Sequence, residues 1–212
     1  QTSRIQLGTS IIQMSARTPT ATAMAAITMD HLSNGRFVLG LGASGPQVVE
    51  GWYGQPFAKP LGRTREYVEI IRRILRREEP VAFAGEHYRL PYDGPGSWGL
   101  GKPLKSIIHG RKDLPIYIGA MAPRSQAQTA ELADGLLLTC MHPEKPEVIE
   151  RNVAEGLAKM EAGILPVIDT LCPLEQYEAA LHRLESRRVF GKIVVTIQFA
   201  RQCDPIAKAH RL

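Results

Sequence analysis

The chain has 212 residues, 44% of them hydrophobic and 22% charged, the composition of an ordinary globular domain. It holds no run of 18 or more apolar residues to span a bilayer and no charged-then-apolar leader, so a cytoplasmic protein with no membrane partner is the default expectation. Cys140, Cys172 and Cys203 form no Cys-x-x-Cys pair, which argues against a zinc knuckle or a disulfide framework, and the net charge of +5 alone invites a polyanionic partner.

The sequence begins at Gln1 without an initiator Met and enters almost directly into a strand-like run, Ile5 to Ile12, so it reads as a fragment. Thr18-Pro19 supplies a capping hydroxyl followed by proline at the first helical position, and the helix it opens should run to about Leu32. Ser33-Asn34-Gly35 ends it, and Arg36 to Leu41 is the next strand, closing on Gly42. Gly45 to Pro60 reads as a loop, and Leu61 to Arg77 as a helix with Tyr67, Ile71, Ile74 and Leu75 at buried spacing. Arg63, Arg65, Arg72, Arg73, Arg76 and Arg77 then form its solvated side. That placement removes the main argument for nucleic acid, while the surplus charge still favours a phosphorylated small molecule through long-range attraction.

Residues 78 to 114 read as an excursion, with a hairpin suggested by Val81-Ala82-Phe83 and His87-Tyr88-Arg89-Leu90, and with 91 to 103 too rich in Gly and Pro for regular structure. Excursions of this length are usually lids or binding loops. Pro115 to Ala120 is the third strand, Ala122-Pro123-Arg124-Ser125 opens a helix to about Ala133, and Leu136 to Thr139 is the fourth strand. A helix over about 146 to 161 follows. Alternating strands and helices predict an α/β fold with a parallel sheet, either a barrel segment or an open sheet. Beyond Ile164 a strand to Ile168, a helix from about Pro173 to Ser186 and a strand from Lys192 to Ile197 are expected, with residues 198 to 212 frayed.

Three glycine-bearing turns fall at the C-terminal ends of these strands: Gly8-Thr9-Ser10-Ile11, Gly42-Ala43-Ser44-Gly45-Pro46 and Gly119-Ala120-Met121-Ala122-Pro123. That edge is where parallel α/β folds bind ligands. Glycine allows close backbone approach to a ring or phosphate, and the first N–H groups of a helix suit an anion. Gly40 to Gly45 fits G-x-G-x-x-G, a pattern that by itself is more often a tight turn. His31 and His87 read as structural or solvent-facing, whereas His142, just past the fourth strand with Lys145 nearby, is the histidine best placed for a ligand phosphate. No paired-carboxylate, Ser-His-Asp or HExxH pattern appears, so no catalytic residue or metal ligand is assigned and hydrolytic chemistry has no support.

Gly8-Thr9-Ser10-Ile11, Asp30-His31-Leu32-Ser33-Asn34-Gly35-Arg36-Phe37 and Gly40 to Pro46, in this order, resemble the luciferase-like oxidoreductase family. Gln47 to Gly54 is similar to the branch that uses the deazaflavin coenzyme F420, and Gly101 to Ser106 and Ala133-Asp134-Gly135 match as well. The resemblance covers about residues 4 to 163 and implies a partial (β/α)8 TIM barrel whose strands are the family's third to sixth. A whole barrel typically needs about 250 residues. The family's first two strands, which carry its proton-transfer residues, and its last two fall outside the match. The resemblance also implies a non-proline cis peptide at Ser10-Ile11, forming a bulge behind the deazaflavin ring. Ala43, Ser44 and Gly45 would stand near that ring, and Ala120, Met121, Ala122, Pro123 and Arg124 would hold the phosphate-bearing tail of the coenzyme. Gln13 and Met14 depart from the small polar residues or proline that relatives often carry.

Residues 164 to 197 are similar instead to the C-terminal end of zinc-independent quinone reductases, on Ile164 to Asp169, Pro173-Leu174-Glu175, Ala180 to Ser186 and Gly191 to Val195. The expectation is therefore an incomplete luciferase-like domain over 1–163 with a foreign helix-strand tail over 164–197. The function implied is hydride transfer between coenzyme F420 and a small organic substrate, in a family that habitually forms homodimers. An FMN-dependent monooxygenase, an inactive fusion fragment or binding module, and an NADPH-dependent quinone reductase remain alternatives.

Overall fold

The computed structural model describes residues 3–138, 147–161 and 195–198. The three cysteines, His142, Lys145, and the strand and helix expected over 164–186 lie outside the described residues. The chain divides into two compact units, 1–116 and 117–212.

In the first unit the strand expected over 5–12 is broken into β1 (Leu7–Gly8) and β2 (Ile12–Gln13), both parallel to β3 (Phe37–Gly42). The register explains the break: Gly8 faces Val38 and Ile12 faces Leu41, so four steps along one strand meet three along the other. One residue is in excess, which is the definition of a bulge. Thr9 bridges the interruption, its hydroxyl donating to Gly40 O at 2.8 Å and accepting from Gly40 N at 2.9 Å. The Ser10–Ile11 bond inside the bulge is cis, as the family resemblance implies.

A 3-10 turn over Met14–Ala16 leads to α1 (Pro19–Leu32), whose first turn is capped by the Thr18 hydroxyl, accepting from Ala21 N at 3.2 Å. The helix ends where expected: Asn34 and Gly35 both take left-handed conformations, and Gly35 N donates to Asp30 O at 2.8 Å. β3 is an almost continuously buried run of Phe, Val, Leu and Gly, as a strand covered on both faces must be. The segment read as a loop contains a short helix, α2 (Pro46–Gly51), with Gly45 at its cap. Proline at the first helical position was its signal, obscured by the surrounding Gly and Pro.

Helix α3 (Pro60–Arg76) buries Tyr67, Val68, Ile70, Ile71, Ile74 and Leu75, and packs on α1, where the Thr22 and Tyr67 hydroxyls meet at 2.6 Å. Its arginines are not simply solvated. Arg73 donates to Ala82 O at 3.0 Å and stacks on Phe83, and Arg77 donates to Ser106 O at 2.7 Å. Arg72 donates to Leu114 O at 3.2 Å. These guanidinium groups clamp the excursion, because its irregular backbone offers carbonyls that no strand or helix satisfies. The excursion contains the expected hairpin, β4 (Phe83–Ala84) with β5 (Arg89–Leu90), and no regular element over 91–103.

In the second unit, which begins at the second residue of β6 (Ile116–Gly119), that strand runs parallel to β7 (Gly135–Leu138), with α4 (Pro123–Leu132) between them in sequence. α5 (Glu147–Glu161) packs on α4. A core of Ala120, Ala130, Leu136, Leu138, Ile149 and Val153 fills this unit. The strand expected over 192–197 is present as β8 (Val195–Gln198), paired antiparallel to β7. Among the described residues no helix is long and apolar enough to cross a membrane.

Candidate functional site

The first unit brings two of the three expected turns together. Ile11, in the bulge, lies directly over Gly42 at the end of β3. A Cβ on Gly42 would stand 2.7 Å from Ile11 Cδ1, so any side chain there would displace Ile11 from its place over the strand. With Ile11 turned inward, Ser10 is exposed. Ser44 takes φ 62°, a left-handed conformation uncommon outside glycine, and Gly45 follows in extended geometry as the cap of α2. The result is a strand end at which exposed Ser10 and half-buried Ala43, Ser44 and Gly45 are all small.

Beside Ala43 lies a small cleft, with about 20 Å3 of enclosed space, lined by Met14, Ser15, Val49, Phe57, Arg63 and Thr64, among others. Ser15 and Thr64 were not singled out from the sequence, and Arg63, expected on the solvated side of its helix, lines this cleft with its Nε buried. Met14, noted as a departure from relatives, is 3% exposed and forms part of this wall.

Two polar clamps hold the frame. Asp30, 3% exposed, accepts from Arg111 Nε at 2.9 Å and Nη2 at 3.1 Å, and from Phe37 N at 3.3 Å, tying the end of α1 to the start of β3 and to the end of the excursion. Glu66 on α3 accepts the backbone N–H groups of Glu86, His87 and Tyr88 at 2.8, 2.9 and 2.9 Å, which fixes the hairpin turn to the helix. Neither clamp had a sequence signal, because each joins residues that periodicity treats separately. Burial pushes the Tyr67 phenol up to about 12, partly offset by its bond to Thr22, and burial also raises Tyr88, which meets Tyr67 edge to face. His31 is exposed, as expected, and the His87 side chain is enclosed beside Gly62.

The third turn belongs to the second unit. Ala120 is buried, while Met121, Ala122, Pro123 and Arg124 are exposed at the start of α4. The first i→i−4 bond is Gln126 N to Ala122 O at 3.0 Å, which leaves the Arg124 and Ser125 amides ahead of it, at the positive end of the helix dipole. Gln126, itself buried, donates to Met121 O at 3.2 Å and accepts from Asn152 of α5 at 2.7 Å, so the turn is fixed from behind.

The model of the luciferase-like monooxygenase family matches residues 1–200. The chain belongs to that family. Among curated relatives of this luciferase-like chain, a Mycobacterium tuberculosis protein named as a coenzyme F420-dependent oxidoreductase is 57% identical over 159 residues, covering 74% of this chain and 46% of the relative. The 5,10-methylenetetrahydromethanopterin reductase of Archaeoglobus fulgidus is 39% identical over 159 residues, covering 75% and 44%. The solved F420-dependent tetrahydromethanopterin reductase of Methanopyrus kandleri superposes with a TM-score of 0.59 at 28% identity, covering 74% of this chain and 46% of that one. The fold class is thus that of a partial (β/α)8 barrel, and this luciferase-like chain spans about half the length of the curated relatives it matches.

Proposed function

We propose that the chain carries a deazaflavin-binding part of a luciferase-like oxidoreductase that transfers hydride between coenzyme F420 and a small organic substrate. The observation that carries the reading is the closure of the bulge on β3: Ile11 fills the space over Gly42, and the accessible residues that flank it, Ser10, Ala43, Ser44 and Gly45, are all small. Small residues at such a strand end suit a flat ring system, which side chains of that size obstruct least. The names of the relatives, two of them F420-dependent, support the choice of coenzyme.

In this reading Ser10, Ile11, Ala43, Ser44 and Gly45 hold the ring, while Ala120, Met121, Ala122, Pro123 and Arg124 receive the phosphate-bearing tail. The free amides of α4 and the Arg124 guanidinium supply the positive charge that an anionic tail needs. When bound, the coenzyme supplies a hydride-accepting or hydride-donating carbon. The chain supplies position and electrostatics, and the 78–114 excursion screens the substrate from water.

The test is a titration of the purified chain with coenzyme F420, FMN and NADPH in parallel, followed by cofactor fluorescence and heat. Saturable binding of F420 supports the reading. Saturable binding of FMN alone replaces it with a flavin monooxygenase, and NADPH alone would bring the quinone-reductase alternative forward. If none binds up to about 1 mM, corresponding to an affinity weaker than about 4 kcal/mol, the reading fails.

A further inference from the structure

Four buried side-chain polar atoms among the described residues have no hydrogen-bond partner: Gln13 Oε1, Ser15 Oγ, Arg63 Nε and His87 Nε2. Two of them, Ser15 and Arg63, line one cleft, and the other two belong to adjoining segments of chain. Gln13 and Ser15 flank Met14 where β2 ends, Arg63 is in the first turn of α3, and His87 Nε2 lies 2.9 Å from where a Cβ on the adjacent Gly62 would stand. Buried polar groups in folded proteins almost always find partners, so two such atoms facing one cleft call for something that is to be bound there.

Ser15 and Arg63 line the same cleft, whose other walls are mostly apolar: Met14, Ala43, Val49 and Phe57. Arg63 is the decisive member. A guanidinium has donors only and does not give up its charge, so an apolar wall against it is unfavourable unless an acceptor is supplied. On the same helix Arg73, and at its cap Arg77, each spend their guanidinium on a carbonyl, whereas the buried Nε of Arg63 has no hydrogen-bond partner among the described residues.

We propose that this cleft is an acceptor-oxygen subsite, in which Arg63 and Ser15 take a carboxylate or ring-carbonyl oxygen of a bound small molecule. Its enclosed space, about 20 Å3, is far below that of a whole-ligand pocket and has room for little more than a single oxygen, so it takes one end of a molecule rather than the whole. Ala43 belongs to both the cleft and the small-residue strand end, so the oxygen belongs to a molecule seated against that strand end. Whether it comes from the coenzyme or from its substrate rests on the deazaflavin reading; the preference for an acceptor oxygen does not.

The test needs no turnover. Sodium formate and sodium acetate are titrated into the full chain at constant ionic strength, balanced with chloride, while Tm is followed, since a ligand that binds only the folded state raises it. A saturable rise with half-effect in the millimolar range is expected. Arg63→Met should shift that half-effect at least tenfold, Ser15→Ala about threefold, and Arg76→Met, on an exposed arginine at the far end of the helix, not at all. Should Arg63→Met fail to fold by circular dichroism, Arg63→Gln and Ser15→Ala carry the comparison. A response that does not saturate, or that is the same in the Arg63 and Ser15 variants, overturns the proposal and leaves the cleft to water.

Repeating the titration with coenzyme F420 present identifies the source of the oxygen. Competition assigns it to the coenzyme and simultaneous binding to the substrate, both as the proposal requires. Acetate binding without F420 binding would sink the deazaflavin reading alone, and F420 binding without an acetate response would sink this one alone.

Discussion

The two units close their strand ends in different ways. In the first, the turn is held by side chains reaching across sequence: Thr9 repairs the broken ladder, Asp30 and Arg111 lock α1 to β3, and Glu66 pins the hairpin to α3. In the second, the turn sits on a helix pair in near-backbone contact. A Cβ on Gly156 of α5 would fall 2.0 Å from Ala127 O and 2.8 Å from Ala130 Cβ on α4, so the absence of a side chain there is what lets Asn152 reach Gln126. Polar clamps suit a surface that must present a defined wall, because they set position in several directions at once. Close helix packing suits a helix terminus that needs only to be aimed.

The contrast predicts where each unit is most fragile. Gly156→Ala should have the larger effect, because the obstructing atom is a backbone carbonyl that cannot rotate away. A loss of about 3 kcal/mol is expected, at the upper end of overpacking costs. Urea denaturation measures it, and hydrogen exchange should show α4 and α5 losing protection. A loss well under 1 kcal/mol would mean that the helices are free to separate and that the contact does not hold the turn.

The polar clamp comes next. Asp30→Asn leaves Arg111 without its counter-charge, and because Arg111 is about a third exposed, the cost should be near the low end for such a break, about 3 kcal/mol. Arg111→Met in the same chain should recover part of that loss, since it removes the stranded charge. Additive losses in the double variant would show that the two side chains act independently, contrary to the geometry.

Much of this was legible in the sequence because it is written locally. Thr18-Pro19 opens α1 and Asn34-Gly35 ends it, since caps and left-handed turns depend on adjacent residues. The β3 and β7 runs declare their burial by continuous apolar composition. α2 was missed because six residues are too few to show a period, leaving only Pro46 as a sign. The arginines of α3 were misjudged for a different reason: helical spacing gives the face but not what covers it, and here the covering is the excursion itself. The small-residue turns were visible, while the cleft beside them was not, because Ser15 and Arg63 meet only through the fold.

The smallest expected effect comes from the hydroxyl shared between α1 and α3. Tyr67 is fully buried, its hydroxyl paired with Thr22 at 2.6 Å and with Arg17 O at 3.1 Å, and burial holds its pKa at about 12 against an ordinary value of 10. The folded state therefore favours the protonated phenol. The stabilisation is fully present below pH 10 and is lost as pH rises from 10 toward 12, as the unfolded chain ionises first. Near neutral pH, Tyr67→Phe should cost only about 1 kcal/mol, the worth of one neutral hydrogen bond. Denaturation from pH 8 to 11.5 should fall more steeply for the unaltered chain than for Tyr67→Phe, bringing the two curves together. Parallel curves would show that Tyr67 ionises as easily folded as unfolded, and that the α1–α3 seam admits water where the structure packs it dry.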